Sequence, residues 1–139
     1  SLPILLRVMS ARAITTPSAP EPVGPYNQAV QAGGWLYCSG QIPIDPASGV
    51  MVGNGDVEAE TRQVLKNLAA VLDAAGAKAG QVVRCTVYLV DLGDFQAVNA
   101  IYAEMFGAGI SPARACVQVA ALPKGSKVEI DCIAWVGAA

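Results

Sequence analysis

Hydrophobic positions along this chain change period from segment to segment, and each change marks an element. Over residues 127–136, Val128, Ile130, Cys132, Ala134 and Val136 alternate with Lys127, Glu129, Asp131, Ile133 and Trp135, which predicts a strand with one apolar face. Val57, Thr61, Val64, Leu65, Leu68 and Leu72 recur at helical spacing. Asp56 supplies an N-cap for that helix, Glu58 and Glu60 suit its positive first turn, and Gly76 ends it. A second helix is predicted from an N-cap at Asp94 to about residue 106, with Phe95, Val98, Tyr102 and Met105 as its stripe. Between the helices, residues 82–91 read as a strand with Val83, Cys85, Val87 and Leu89 on one face. Residues 113–120 read as another, with Ala115, Val117 and Val119 toward the helices and Arg114, Cys116 and Gln118 opposite.

The N-terminal half is built differently. Residues 28–32 and 35–42 predict two strands around a Gly33-Gly34 hairpin turn. Trp35, Tyr37, Ser39 and Gln41 share one face of the second strand, and Leu36, Cys38, Gly40 and Ile42 the other. Pro17, Pro20, Pro22 and Pro25 exclude a helix over residues 13–27, leaving an extended arm with a short strand at 14–16. The order β-β-α-β-α-β-β predicts an α+β architecture: one mixed sheet with two helices on one face. Residues 13–139 form the single expected domain, and 1–12 read as an N-terminal extension, a targeting remnant, tag scar or upstream start.

Composition sharpens the picture on the sheet's uncovered face. Charged residues are only 14% of the chain and apolar ones 53%, against a usual charged share of roughly 25%. Packing that face against copies of the same chain accounts for both the low charge and the outward Trp, Tyr and Ile. Net charge is −2, and no run of Lys or Arg supplies the field behind nucleic-acid binding. The apolar opening at residues 2–6 is far shorter than the roughly 20 residues of a membrane span. Four scattered cysteines read as reduced thiols in a cytoplasmic compartment. Histidine is absent, which removes imidazole-dependent metal sites and any His base.

Arg114 and Glu129 fall on the same predicted face. Two readings stay open: a structural salt bridge, or a guanidinium fork for a substrate carboxylate with Glu129 handling water or a proton.

Several blocks then carry a resemblance. Gly24-Pro25-Tyr26-Asn27-Gln28-Ala29, Ser39-Gly40-Gln41-Ile42-Pro43 and Asp94-Phe95 with Val98, Asn99 and Tyr102 come first. Pro112-Ala113-Arg114, Val117, Val119, Leu122-Pro123-Lys124-Gly125 and Val128-Glu129-Ile130 complete the series. In this order and spacing they resemble the RidA (YjgF/L-PSP) family over residues 13–137. The resemblance implies a chorismate-mutase-like fold and a homotrimer with sites in the clefts between subunits. It implies hydrolysis of 2-imino acids or their enamine tautomers to 2-keto acids and ammonia, protecting PLP-dependent enzymes, without metal or organic cofactor. It places Arg114 on the substrate carboxylate and Glu129 on the attacking water. The backbones of Gly40 and Cys116 would bind substrate, Tyr26 and Asn99 would line the cleft, and Ser39 would sit beside them. Asn27 departs from the family's usual Ser. Two further possibilities are a single-strand ribonuclease or translation inhibitor, and a module that binds 2-keto or 2-amino acids without turnover.

Overall fold

The structure, a computed structural model, describes residues 10–137. Eight regular elements follow in order: β1 (Ala11–Ile14), β2 (Ala29–Ala32), β3 (Trp35–Gln41), α1 (Val57–Ala74), β4 (Val82–Leu89), α2 (Phe95–Phe106), β5 (Ala113–Gln118) and β6 (Val128–Trp135). The strands form one six-stranded sheet in the order β1-β2-β3-β6-β4-β5. Every pairing is antiparallel except the parallel β4–β5 pair at one edge. This is the expected mixed-sheet α+β fold. The first strand begins earlier than the expected 14–16, with Ala11 opposite Ala32. Most of the stretch expected to be an extension lies outside the described residues.

α1 forms where its apolar stripe and its cap agree. The Asp56 carboxylate accepts from the Glu58 and Ala59 amides at 3.0 and 3.4 Å, satisfying two of the free N–H groups of the first turn. Val64, Leu65, Leu68, Val71 and Leu72 are buried against the sheet, each contributing roughly 1.5–3 kcal/mol by leaving water. Two buried polar residues of this helix tie down other segments. Glu60 accepts from the Lys127 amide at 2.8 Å, and Asn67 donates to the Ile42 and Ile44 carbonyls at 3.3 and 2.8 Å.

α2 begins where predicted, just after Asp94, but without the expected side-chain cap. The Asp91 carboxylate, not that of Asp94, accepts from a backbone amide, Gly93 at 2.8 Å, and a short 3-10 turn over Leu92–Asp94 leads into the helix. Its buried positions are Val98, Ile101, Tyr102 and Phe106. Phe95, expected in the core stripe, is 37% exposed.

Three strands carry corrections to the predicted faces. In β3 the register passes from Cys38 opposite Cys132 to Gln41 opposite Ile130, so Ser39 and Gly40 together oppose Asp131. This bulge turns Gln41 into the core and Gly40 onto the open face, the reverse of simple alternation. A second bulge between Val82 and Arg84 leaves Val83 exposed instead of Val82. In β5 the parallel register sets Arg114, Cys116 and Gln118 beside Cys85, Val87 and Leu89, all core residues of β4. Arg114 and Cys116 therefore lie on the helix side, where Ala115 and Val117 were expected.

The β6 alternation holds throughout, with Val128, Ile130, Cys132 and Ala134 buried. Cys38, Cys132 and Cys85 stand side by side across β3, β6 and β4, all buried. The open face shows Trp35, Tyr37, Val117 and Trp135, each more than 40% exposed.

Candidate functional site

On the helix side of edge strand β5, Arg114 sits among residues of α2. Its Nη1 donates to the Asn99 Oδ1 at 2.7 Å. Its guanidinium carbon lies 4.8 Å from the Tyr102 ring centre and 5.5 Å from that of Phe95. A cavity of about 300 Å³ opens beside it, lined by Asn99, Tyr102, Phe106, Ser111, Pro112 and Arg114. Cys116 follows two residues on and packs against the core. Burial pushes its thiol pKa up, against the opposing pull of Arg114, so the sulfur stays protonated at neutral pH and is a poor nucleophile. β5 pairs only with β4, and an edge strand presents unpaired backbone groups outward.

On the open face, Glu129 stands opposite Tyr88 in the β4–β6 register. Its carboxylate lies over Gly40: a Cβ there would meet the Glu129 Cδ at 2.8 Å. The glycine is thus required for close approach rather than for a positive φ. Burial, with Asp131 two residues along the same face, holds the Glu129 carboxyl above its ordinary pKa. The Tyr88 hydroxyl donates to Asp131 Oδ2 at 3.0 Å. Ser39 donates its hydroxyl to the Asn27 carbonyl at 2.6 Å. That contact uses only the backbone at position 27, so Asn in place of Ser leaves it intact.

Tyr26 and Gly40 line one narrow pocket of about 30 Å³ together with Pro20, Gln28 and Ile44. The arm that carries Tyr26 is fixed by Gln28, which sequence reasoning missed. Its buried amide donates to the carbonyls of Thr16, Ala19 and Pro20 at 3.0, 3.2 and 2.9 Å, and accepts from the Thr16 amide at 2.7 Å. Prolines remove backbone donors from such an arm, and one amide side chain replaces a ladder of them.

The expected residues therefore form two groups rather than one. Arg114, Asn99 and Cys116 share the helix side of the sheet edge, and Tyr26, Ser39, Gly40 and Glu129 gather around the β3 bulge. The salt-bridge alternative fails, because β4 separates β5 from β6 and the two side chains leave opposite faces. Among the described residues the only ion pair joins Arg62 and Glu104 at 2.7 Å. Phe95 and Tyr102 were visible in the sequence as members of a helical stripe and of the resembling blocks, but with no part assigned beside Arg114.

Residues 16–136 match the family described as Endoribonuclease L-PSP. A mouse protein named 2-iminobutanoate/2-iminopropanoate deaminase is 52% identical over 126 residues, covering 91% of this chain and 92% of its own. A Salmonella typhimurium protein of the same name is 46% identical, covering 89% and 97%. Among solved structures, a Rid-family protein of unknown function from Yersinia pestis, YyfA, superimposes with a TM-score of 0.89 at 48% identity, covering 91% of this chain and all of its own. By family match, identity and fold together, this chain belongs to the RidA (YjgF/L-PSP) family.

Proposed function

We propose that the protein is a deaminase that hydrolyses 2-imino acids, such as 2-iminopropanoate and 2-iminobutanoate, to 2-keto acids and ammonia. The observation that carries this reading is Arg114: a fixed guanidinium beside an open cavity, with no carboxylate against it among the described residues. Two relatives at roughly half identity bear the name of that activity. The reaction adds water across the C=N bond, and the resulting carbinolamine expels ammonia as its C–N bond breaks. Arg114 would hold the substrate carboxylate through two parallel bonds. Glu129, ionised, would take a proton from the attacking water, and as the acid would return it to the leaving amine. The backbones of Gly40 and Cys116 would bind the substrate, with Ser39, Tyr26 and Asn99 around it. No metal or organic cofactor has a part in this scheme.

Because Arg114 and Glu129 leave opposite faces of one sheet, we infer that the working site forms between copies of the chain, in a homotrimer. The aromatic open face and the low charge support that assembly. Removing 2-aminoacrylate would protect PLP-dependent enzymes from it.

The decisive experiment couples a serine/threonine dehydratase, which releases the imine, to this protein and follows 2-keto acid formation. Arg114→Ala should lose on the order of 10²-fold or more of the acceleration while keeping the oligomeric state of the parent. Full activity in that variant refutes the proposal. The name of the matching family favours a second reading, cleavage of RNA. A net charge of −2 weighs against it, and RNA degradation abolished by the same substitution would restore it.

A further inference from the structure

Phe95, Asn99 and Tyr102 are spaced i, i+4, i+7 along α2, so they project from one side of the helix. Asn99 alone has a part in the reading above. Yet all three meet the same group: Asn99 accepts from the Arg114 Nη1 at 2.7 Å, and the two rings face the guanidinium carbon at 4.8 and 5.5 Å.

What the three share is that none carries a charge. A part-buried guanidinium is commonly held by a carboxylate. A carboxylate here would fix Arg114 firmly, but it would cancel the charge that a ligand must meet. An amide oxygen occupies one N–H, and aromatic faces attract the cation through their quadrupoles without neutralising it. The side chain is oriented while its charge and its remaining N–H groups stay available.

Phe95 supports this account by its position. It opens α2 and is 37% exposed, so the helix gains little core from it. Tyr102 supports it by its hydroxyl, which is buried and meets no hydrogen-bond partner of good geometry, although the Cys85 thiol is close enough to affect its ionisation. The ring is the part of Tyr102 that Arg114 uses.

We propose that Phe95 and Tyr102, together with Asn99, are positioning residues: a charge-neutral cradle that presets Arg114 for the carboxylate of a 2-imino or 2-keto acid. This rests on Arg114 being the carboxylate anchor. It deepens that reading by explaining how the anchor is aimed without being neutralised.

The test measures pyruvate binding to the full chain by calorimetry, with thermal melting alongside. Asn99→Asp sets a carboxylate against Nη1: the melting temperature should hold or rise, while pyruvate binds at least tenfold more weakly. A merely structural hydrogen bond would be kept or strengthened by that change, and binding would not move. Phe95→Leu should weaken binding about fivefold, the size of one cation–π contact, with melting unchanged, and Phe95→Tyr should restore it. Tyr102→Phe should bind like the parent. Parental affinity in both Asn99→Asp and Phe95→Leu overturns the cradle. Arg114→Ala separates the two claims: if it binds pyruvate as the parent does, the anchor itself falls. If it loses binding while the cradle variants keep it, only the cradle falls.

Discussion

The two polar groups of this molecule, one at Arg114 and one at Glu129, are built on opposite plans. Arg114 is a permanent cation held by an amide and two rings. Glu129 is a carboxylate set in a half-buried place, beside a second carboxylate, over a glycine that lets it approach the backbone. The cation is stabilised without being neutralised, and the anion is kept costly without being removed. Within a single chain the two cannot cancel, since they leave different faces of the sheet. Charges set on separate surfaces of one chain both stay potent, and in the proposed assembly they would meet only between copies.

Deleting either charge should have the largest effect. Arg114→Ala, with its expected loss of 10²-fold or more in the coupled assay, removes the cation. Glu129→Gln should follow closely, at about 10²-fold in kcat, within the usual range for losing a proton-transfer group. Its stability effect has the opposite sign. The folded pKa of Glu129 is raised, so its protonated form favours the native state below the ordinary carboxylate pKa. That advantage is lost as pH rises through the raised value. The glutamine variant should therefore melt higher at pH 7, by about 2 °C, and gain less near pH 4. A lower melting temperature at pH 7 counts against the costly-anion description. The same shift predicts that parental activity falls on the acid side as Glu129 protonates, which a pH–rate profile reads directly.

Gly40→Ala tests the geometry rather than the charge. The added methyl group enters the space of the Glu129 carboxyl and must push it aside. We expect roughly a tenfold fall in kcat, less than the roughly 10²-fold that a 1 Å displacement of a reacting group can cost, with Arg114-dependent binding of pyruvate retained. Cys116→Ser should have the smallest effect, within about threefold, because a protonated thiol packed on the core offers only its backbone to a ligand. Loss of all turnover in that variant would give the sulfur a role that its burial argues against.

How much of this was legible beforehand depended on how strongly each strand's two faces differ. β6 sets Val128, Ile130, Cys132 and Ala134 on one face against Glu129 and Asp131 on the other, and its faces were read correctly from Val128 to Trp135. The capped, striped α1 was equally clear. β5 was not: Ala115 and Val117 look more suited to a core than Arg114, Cys116 and Gln118, yet they face outward. At a sheet edge the helix layer thins, and a parallel partner sets the register. Cys85, Val87 and Leu89 on β4 decide which β5 side chains turn inward. In β3 a single extra residue at Ser39–Gly40 reversed every face beyond it, a change that no periodicity reveals. Of the three strands with corrected faces, β3 and β5 carry expected site residues, while β4, with its bulge at Val83, does not. On β3 and β5 regular alternation gives way where the backbone at Gly40 closes on the Glu129 carboxyl and where the Arg114 guanidinium takes the helix side of the edge.

The row of thiols across the sheet gives the fold its own reporter. Cys38, Cys132 and Cys85 lie abreast on three neighbouring strands, sealed under the helices. A thiol reagent can reach them only when β3, β6 and β4 part from the helix layer, so their labelling follows opening of the sheet's centre. Cys116, on the edge strand and only partly covered, answers to a smaller opening. One labelling time course thus separates fraying of the edge that bears Arg114 from opening of the central strands, one of which bears Glu129.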